Sequence, residues 1–293
     1  MLKGSIVALV TPFNNDGSVN YEKLGELIEF HINNNSGGIV LLGTTGESST
    51  LDFEEEEKMV EFAVKKINHR IPLVVGAGSN ETAKAVRSAK RYSNLGADYL
   101  LVITPYYNKT NESGLIKHFE AVASASSCPI IMYNVPGRTG MSMSIHALEV
   151  LSKNPKIVGI KEASGNMSYA MKVARLLNDD FMMYSGNDDI IVPMMSIGSV
   201  GVISVLANIA PKQTAKMCEL CFENNYKEAA KLQGDLLPLI NDLFLEVNPI
   251  PVKEAMNYMG MNVGGYRAPL DYMSEGAKAV LTAEIDKNKE MIF

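Results

Sequence analysis

Lys156-Ile157-Val158-Gly159-Ile160-Lys161-Glu162-Ala163-Ser164-Gly165 is the stretch on which the reading of this 293-residue chain turns. Residues 157–160 are apolar or small and are bounded by polar and glycine residues, the pattern of a short, fully buried strand. The run ends in Lys161. Lysine is almost never fully buried unless something pairs with it or uses it. At the end of such a strand an ammonium loses hydration, which favours the neutral amine. A neutral amine attacks ketones and aldehydes to give a Schiff base. Taken alone, the segment reads more simply as a strand that surfaces, with Lys161 in solvent. The rest of the chain changes that balance.

Outward from this stretch the pattern is strand then helix, repeated. Apolar runs at 5–10, 39–42, 72–75, 99–103, 129–132, 157–160, 181–184 and 201–205 alternate with helical spacing at 21–33, 53–67, 82–94, 112–126, 144–151, 169–177, 190–195 and 211–224. Asp52 stands where an N-cap would, and the acidic run from Glu54 to Glu57 reads as a solvated helix start. Eight alternations predict an α/β chain folded as a (β/α)8 TIM barrel, whose active site is built from the loops at the strand C-termini. The polar and glycine-rich clusters do follow the strands. An open, doubly wound sheet is the alternative, but Gly76-Ala77-Gly78 has Glu81 where a dinucleotide fingerprint needs its third glycine. Residues 225–293 change character, with helical spacing broken at Pro249-Ile250-Pro251 and Gly264-Gly265. They read as a C-terminal helical extension of a catalytic barrel at 1–224, not as an independent unit.

Composition excludes several classes. The hydrophobic content of 46% supports a large core, and a net charge of −6 with no basic stripe argues against a nucleic-acid partner. The apolar run near the N-terminus is stopped by Thr11-Pro12 before it takes signal-peptide form, and no window has the apolar length of a membrane helix. A soluble, cytoplasmic protein is expected. Cys128, Cys218 and Cys221 are too few and too odd in number for a disulfide scaffold. Cys218-Glu219-Leu220-Cys221 lies within helical spacing and reads as two core positions on one face. His31, His69, His118 and His146 are scattered, so neither a metal site nor a Ser/His/Asp triad is expected. No cofactor is called for.

On a barrel, Thr44, Thr45, Tyr107, Tyr133, Arg138, Lys161 and Gly186 all project toward one mouth. Schiff-base chemistry on a keto acid needs a proton shuttle to expel water and then form an enamine. Tyr133 and Thr44 supply a hydroxyl relay. Gly43 and Gly46 allow a tight turn with amides left free for a carboxylate. Arg138 can hold a second carboxylate bidentately. Singly, each has a structural reading: a turn, a cap, a packed ring, a surface ion pair. Their joint position after strands two, four, five and six carries the weight.

Three motifs, Gly43-Thr44-Thr45-Gly46-Glu47, Tyr133-Asn134-Val135-Pro136-Gly137-Arg138-Thr139 and Gly159-Ile160-Lys161-Glu162-Ala163, together with the helical C-terminus, resemble the dihydrodipicolinate synthase and N-acetylneuraminate lyase family of class I aldolases. The resemblance runs over essentially the whole chain and is closest to the synthase branch. Its discriminator is Gly137-Arg138-Thr139, and Tyr106-Tyr107 also looks synthase-like. It implies that pyruvate forms a Schiff base with Lys161, its carboxylate on Thr44-Thr45 with Thr45 the main contact, and that Gly186 and the backbone of Ile203 complete the pocket. Tyr133 would pass protons through Thr44 and Tyr107, the latter entering a neighbouring subunit, so a homodimer or homotetramer is implied. Arg138 would hold the carboxylate of L-aspartate 4-semialdehyde, placing the reaction in the diaminopimelate route to lysine. Another pyruvate-dependent lyase acting on a sugar acid, or a non-catalytic keto-acid-binding barrel, are the alternatives.

The resemblance also implies a lysine-binding cleft, for which Ser48, Ser49, Asn80, Lys84 and Tyr106 are the candidate residues. Phe53 and Glu56 stand where lysine-sensitive members tend to have histidines, and Lys84 where they tend to have glutamate. Lys84 would repel the ammonium of bound lysine, so weak or absent feedback is expected.

Overall fold

Eight parallel strands close on themselves in chain order: β1 (Gly4–Ala8), β2 (Gly38–Leu41), β3 (Leu73–Gly76), β4 (Tyr99–Ile103), β5 (Ile130–Asn134), β6 (Ile157–Glu162), β7 (Met182–Ser185) and β8 (Gly201–Ser204). This is the computed structural model of the chain, and it describes residues 2–292. The expected (β/α)8 barrel is therefore the fold, and the open-sheet alternative is excluded by the pairing of β1 with β8. That seam is close: Gly201 has φ +150°, and a Cβ there would lie 2.1 Å from the carbonyl oxygen of Gly4. Only glycine fits.

Two apolar layers follow from strand alternation. Ile6, Val40, Val74, Leu101, Ile131, Tyr184 and Ile203 fill the barrel interior. Val7, Ile39, Leu41, Val75, Val102, Met132 and Ile160 face the surrounding helices. Each fully buried aliphatic side chain of this kind stabilises by about 1.5–3 kcal/mol.

Helix starts are set by side-chain caps. Asn20, Asn111, Ser144 and Asn166 each accept a backbone N–H of the first turn. Asp52 forms a full capping box with Glu55 at the start of Phe53–Ile67, so the helix begins and ends where the sequence predicts. The acidic run that follows is not simply solvated, as expected above. Glu55 pairs with Arg267, Glu56 accepts the hydroxyl of Tyr92, and Glu57 pairs with Arg91. Cys218 and Cys221 are both buried on the helix Pro211–Phe222.

After β8 the chain continues through the helices Pro211–Phe222, Tyr226–Asp242, Ile250–Tyr258 and Glu275–Lys287. The segment between the second and third returns to the barrel mouth, where Asn248 meets Thr45. No helix among the described residues is long and apolar enough to cross a membrane.

Candidate active site

Lys161 lies within β6, in register with Tyr133 of β5 on one side and Tyr184 of β7 on the other. It is 6% exposed, so the reading of a strand end reaching solvent fails. Its Nζ is 4.5 Å from the centre of the Tyr133 ring. Burial draws its pKa from 10.5 down to about 8, against the opposing charge of Asp188 and with some help from Arg138. At neutral pH roughly a tenth of such amines are unprotonated, several hundred times the fraction for an ordinary lysine. Desolvation thus favours the neutral form of this amine, the form that can act as a nucleophile.

The two tyrosines beside it differ. Tyr184 donates its hydroxyl to the carbonyl of Leu2, 2.9 Å away. Tyr133 lines the cavity together with Lys161 and Thr44. Burial pushes its pKa up to about 12, while Arg138 and the neighbouring Thr44 hydroxyl pull the other way. It therefore stays protonated over the neutral range and can donate.

Behind Lys161, hydrogen bonds lock the strand ends. Glu162 accepts from the Asn134 side-chain amide at 2.7 Å and from Ser164 N–H at 2.7 Å, and Asn134 Oδ1 accepts from Met143 N–H. Gly186 N–H donates to Glu162 O at 2.7 Å, so close that a Cβ on Gly186 would meet the Ala163 Cβ at 2.4 Å. Buried Asp188 accepts the N–H groups of Val205 and Leu206, which ties the end of β7 to the end of β8.

The cavity above Lys161 has a volume of about 180 Å³. Thr44, Thr45, Tyr133, Arg138, Lys161 and Gly186, all expected at one mouth, line it. The turn carrying Thr44 and Thr45 is closed by Gly46 N–H on Gly43 O and Glu47 N–H on Thr44 O. Arg138 sits in the single helical turn Pro136–Thr139, with Pro136 at the first position, where the sequence reading has a loop. Its guanidinium donates to Asn248 O at 3.1 Å, and it forms no ion pair among the described residues, so its charge is available at the mouth.

Three of the expected residues lie outside this cavity in the single chain. The expectation for Ile203 concerns its backbone, at the end of β8; its side chain packs in the barrel interior. Tyr107, expected to enter a neighbouring subunit's site, does not line the cavity of its own chain. It is 90% exposed, at φ +68°, in a three-residue turn closed by Asn108 N–H on Tyr106 O. Such a turn is strained and presents the ring outward. Asn80 does not line the neighbouring cavity either; its carbonyl holds the Asn108 side chain under that same turn.

That neighbouring cavity, of about 270 Å³, shares Gly43, Thr44, Leu101, Tyr133 and Arg138 with the first. Ser48, Ser49, Lys84 and Tyr106 line it, with Glu56. Lys84 Nζ lies 5.4 Å from the centre of the Phe53 ring.

Asn248 is the residue that sequence reasoning missed. Its side-chain amide donates to Thr45 Oγ1 at 3.0 Å while its backbone carbonyl accepts from Arg138, so one residue contacts both side chains expected to bind carboxylates. The Asn248-Pro249 pair beside an extended break was its only sequence signal. Among the described residues no three metal-ligating side chains converge.

The comparisons with known proteins agree with this fold. The model of the dihydrodipicolinate synthetase family matches residues 1–288. A 4-hydroxy-tetrahydrodipicolinate synthase of Clostridium perfringens is 47% identical over 288 residues, 98% of this chain and 99% of that one. The crystal structure of dihydrodipicolinate synthase from Aquifex aeolicus superposes with a TM-score of 0.96 at 42% identity, covering 98% of both chains. A chloride-inhibited dihydrodipicolinate synthase from Acinetobacter baumannii, complexed with pyruvate, superposes at 0.97 with 40% identity and complete coverage. With a full-length family match and the closed barrel that carries its three motifs, the chain belongs to the dihydrodipicolinate synthetase family.

Proposed function

We propose that the chain is a lyase that condenses pyruvate with L-aspartate 4-semialdehyde to 4-hydroxy-tetrahydrodipicolinate, a step of lysine biosynthesis. The observation that carries the reading is a buried lysine of lowered pKa in register with a protonated tyrosine, under a cavity of about 180 Å³ lined by Thr44, Thr45 and Arg138.

The neutral Lys161 amine attacks C2 of pyruvate to give a carbinolamine. Tyr133 protonates the departing hydroxyl, which leaves as water, and an iminium remains. Loss of a C3 proton to the Tyr133–Thr44 relay gives the enamine. Its C3 attacks the aldehyde carbon of the second substrate, whose oxygen takes a proton. The amine of that substrate then adds to the iminium carbon, closes the ring and releases Lys161. Thr44 and Thr45 hold the pyruvate carboxylate beside Gly186, and Arg138 holds the carboxylate of the semialdehyde.

Tyr107 completes the relay from the partner subunit in a homodimer or homotetramer, a role that suits its outward, strained presentation. The three thiols are free, which suits the cytoplasm. A steady-state assay with pyruvate and a panel of aldehydes tests the reaction. Turnover with L-aspartate 4-semialdehyde far above that with neutral sugar aldehydes is expected; the reverse order would make the protein a sugar-acid lyase.

A further inference from the structure

The barrel mouth holds a second buried lysine, and nothing in the reaction uses it. Lys253, on the helix Ile250–Tyr258, is 0% exposed. An ammonium has three donors. Lys253 Nζ directs them to Thr11 O at 3.0 Å, Glu47 Oε1 at 2.8 Å and Gly265 O. The rings of Phe13 and Tyr266 flank it, their centres 4.4 and 5.4 Å away. This lysine is a fully satisfied cation. Lys161, by contrast, gives no hydrogen bond to any described residue and is open to react.

Glu47 is the end of the turn that carries Thr44 and Thr45. Its side chain is 1% exposed, and its second oxygen accepts Arg267 N–H at 3.1 Å. Its backbone is left-handed, at φ +54°. A non-glycine residue keeps that conformation only when its surroundings hold it. Both groups that hold its side chain come from beyond residue 250. From the other side, Thr11 Oγ1 donates to Gly46 O at 2.6 Å, while Thr11 O accepts Lys253. The turn is therefore gripped at Gly46 and Glu47 by an assembly centred on one buried ammonium.

We propose that the Lys253–Glu47 pair is a positioning device that holds the Thr44–Thr45 turn in its carboxylate-binding shape, making the C-terminal extension a working part of the pyruvate site. The inference rests on the reading of that turn as the pyruvate cradle. Neither residue touches substrate; both act through Thr44 and Thr45. A misplacement of a binding turn by about 1 Å costs on the order of a hundredfold in rate.

The test compares wild type with Lys253→Met/Glu47→Gln, in which no charge is left buried and unpaired. Circular dichroism and Tm report folding, active sites are counted by pyruvate and borohydride trapping, and KM is measured for each substrate. The double variant is expected to fold, to trap pyruvate at saturation, and to show a pyruvate KM raised about tenfold or more, with the semialdehyde KM within about twofold of wild type. A folded double variant with wild-type pyruvate KM would overturn the proposal while leaving the reading of Lys161 intact. A wild type that traps no pyruvate would overturn both. Should the double variant not fold, Glu47→Gln alone removes only the charge and keeps the shape. A severalfold rise in pyruvate KM supports the proposal, and an unchanged value contradicts it.

Discussion

Lys161 and Tyr133 are register partners on adjacent strands, with the lysine nitrogen 4.5 Å from the centre of the tyrosine ring. A parallel ladder fixes that spacing more firmly than a loop could, so the placement of the amine against the phenol is set by the backbone of the barrel itself. The desolvation that readies Lys161 also keeps Tyr133 protonated, because burial disfavours both charged forms.

Replacing Tyr133 by Phe keeps the ring beside Lys161 and removes the hydroxyl. A drop in kcat of about 10²–10⁴-fold is expected, with little change in Tm. Stopped-flow or steady-state kinetics at saturating substrates checks this, and a variant within about threefold of wild type would remove Tyr133 from the relay.

The lowered pKa of Lys161 sets the pH dependence of Schiff-base formation. The protonated amine is inert, so the rate of pyruvate adduct formation is expected to rise with pH and level off above about 8, not near the 10.5 of an ordinary lysine. Quenched-flow borohydride trapping across pH 6 to 10, as an order-of-magnitude window around that value, reads the midpoint directly.

Arg138 forms no ion pair among the described residues, and its guanidinium is held at the mouth through Asn248 O. Arg138→Ala is expected to raise the semialdehyde KM by about tenfold to a hundredfold, the worth of charge-assisted hydrogen bonds to a carboxylate. Pyruvate trapping should persist. Equal losses for both substrates would instead show that Arg138 acts on the shared cradle.

Lysine feedback is expected to be weak or absent. The cavity that carries Ser48, Ser49 and Tyr106 also carries Lys84, whose charge opposes a second ammonium. L-lysine titrated into the steady-state assay should leave the rate unchanged at micromolar concentration, and clear inhibition there would refute the expectation.

Much of the barrel is legible because its signals are local. Asp52 and Glu55 sit three residues apart and define a helix start on their own. Strand ends are less legible. Tyr133, Asn134, Lys161 and Glu162 follow the apolar runs in sequence, yet all four lie inside strands, because ladder pairing with neighbours carries β5 and β6 onward. Tertiary pairing decides that, and apolar counting does not see it. The supports of the site are less legible still. Asn248 meets Thr45 across 203 residues and Lys253 meets Glu47 across 206, with no local pattern linking them. Tyr107 shows another limit: its proposed role depends on a neighbouring subunit, which no local pattern describes, and in its own chain the ring is exposed.

The most direct measurement is intact-mass spectrometry after incubation with pyruvate and borohydride, for wild type and Lys161→Ala. The account predicts one reduced pyruvate adduct per wild-type chain, mapped to Lys161, and none on the variant. A folded wild type without an adduct, or a variant that still traps pyruvate stoichiometrically, would contradict it.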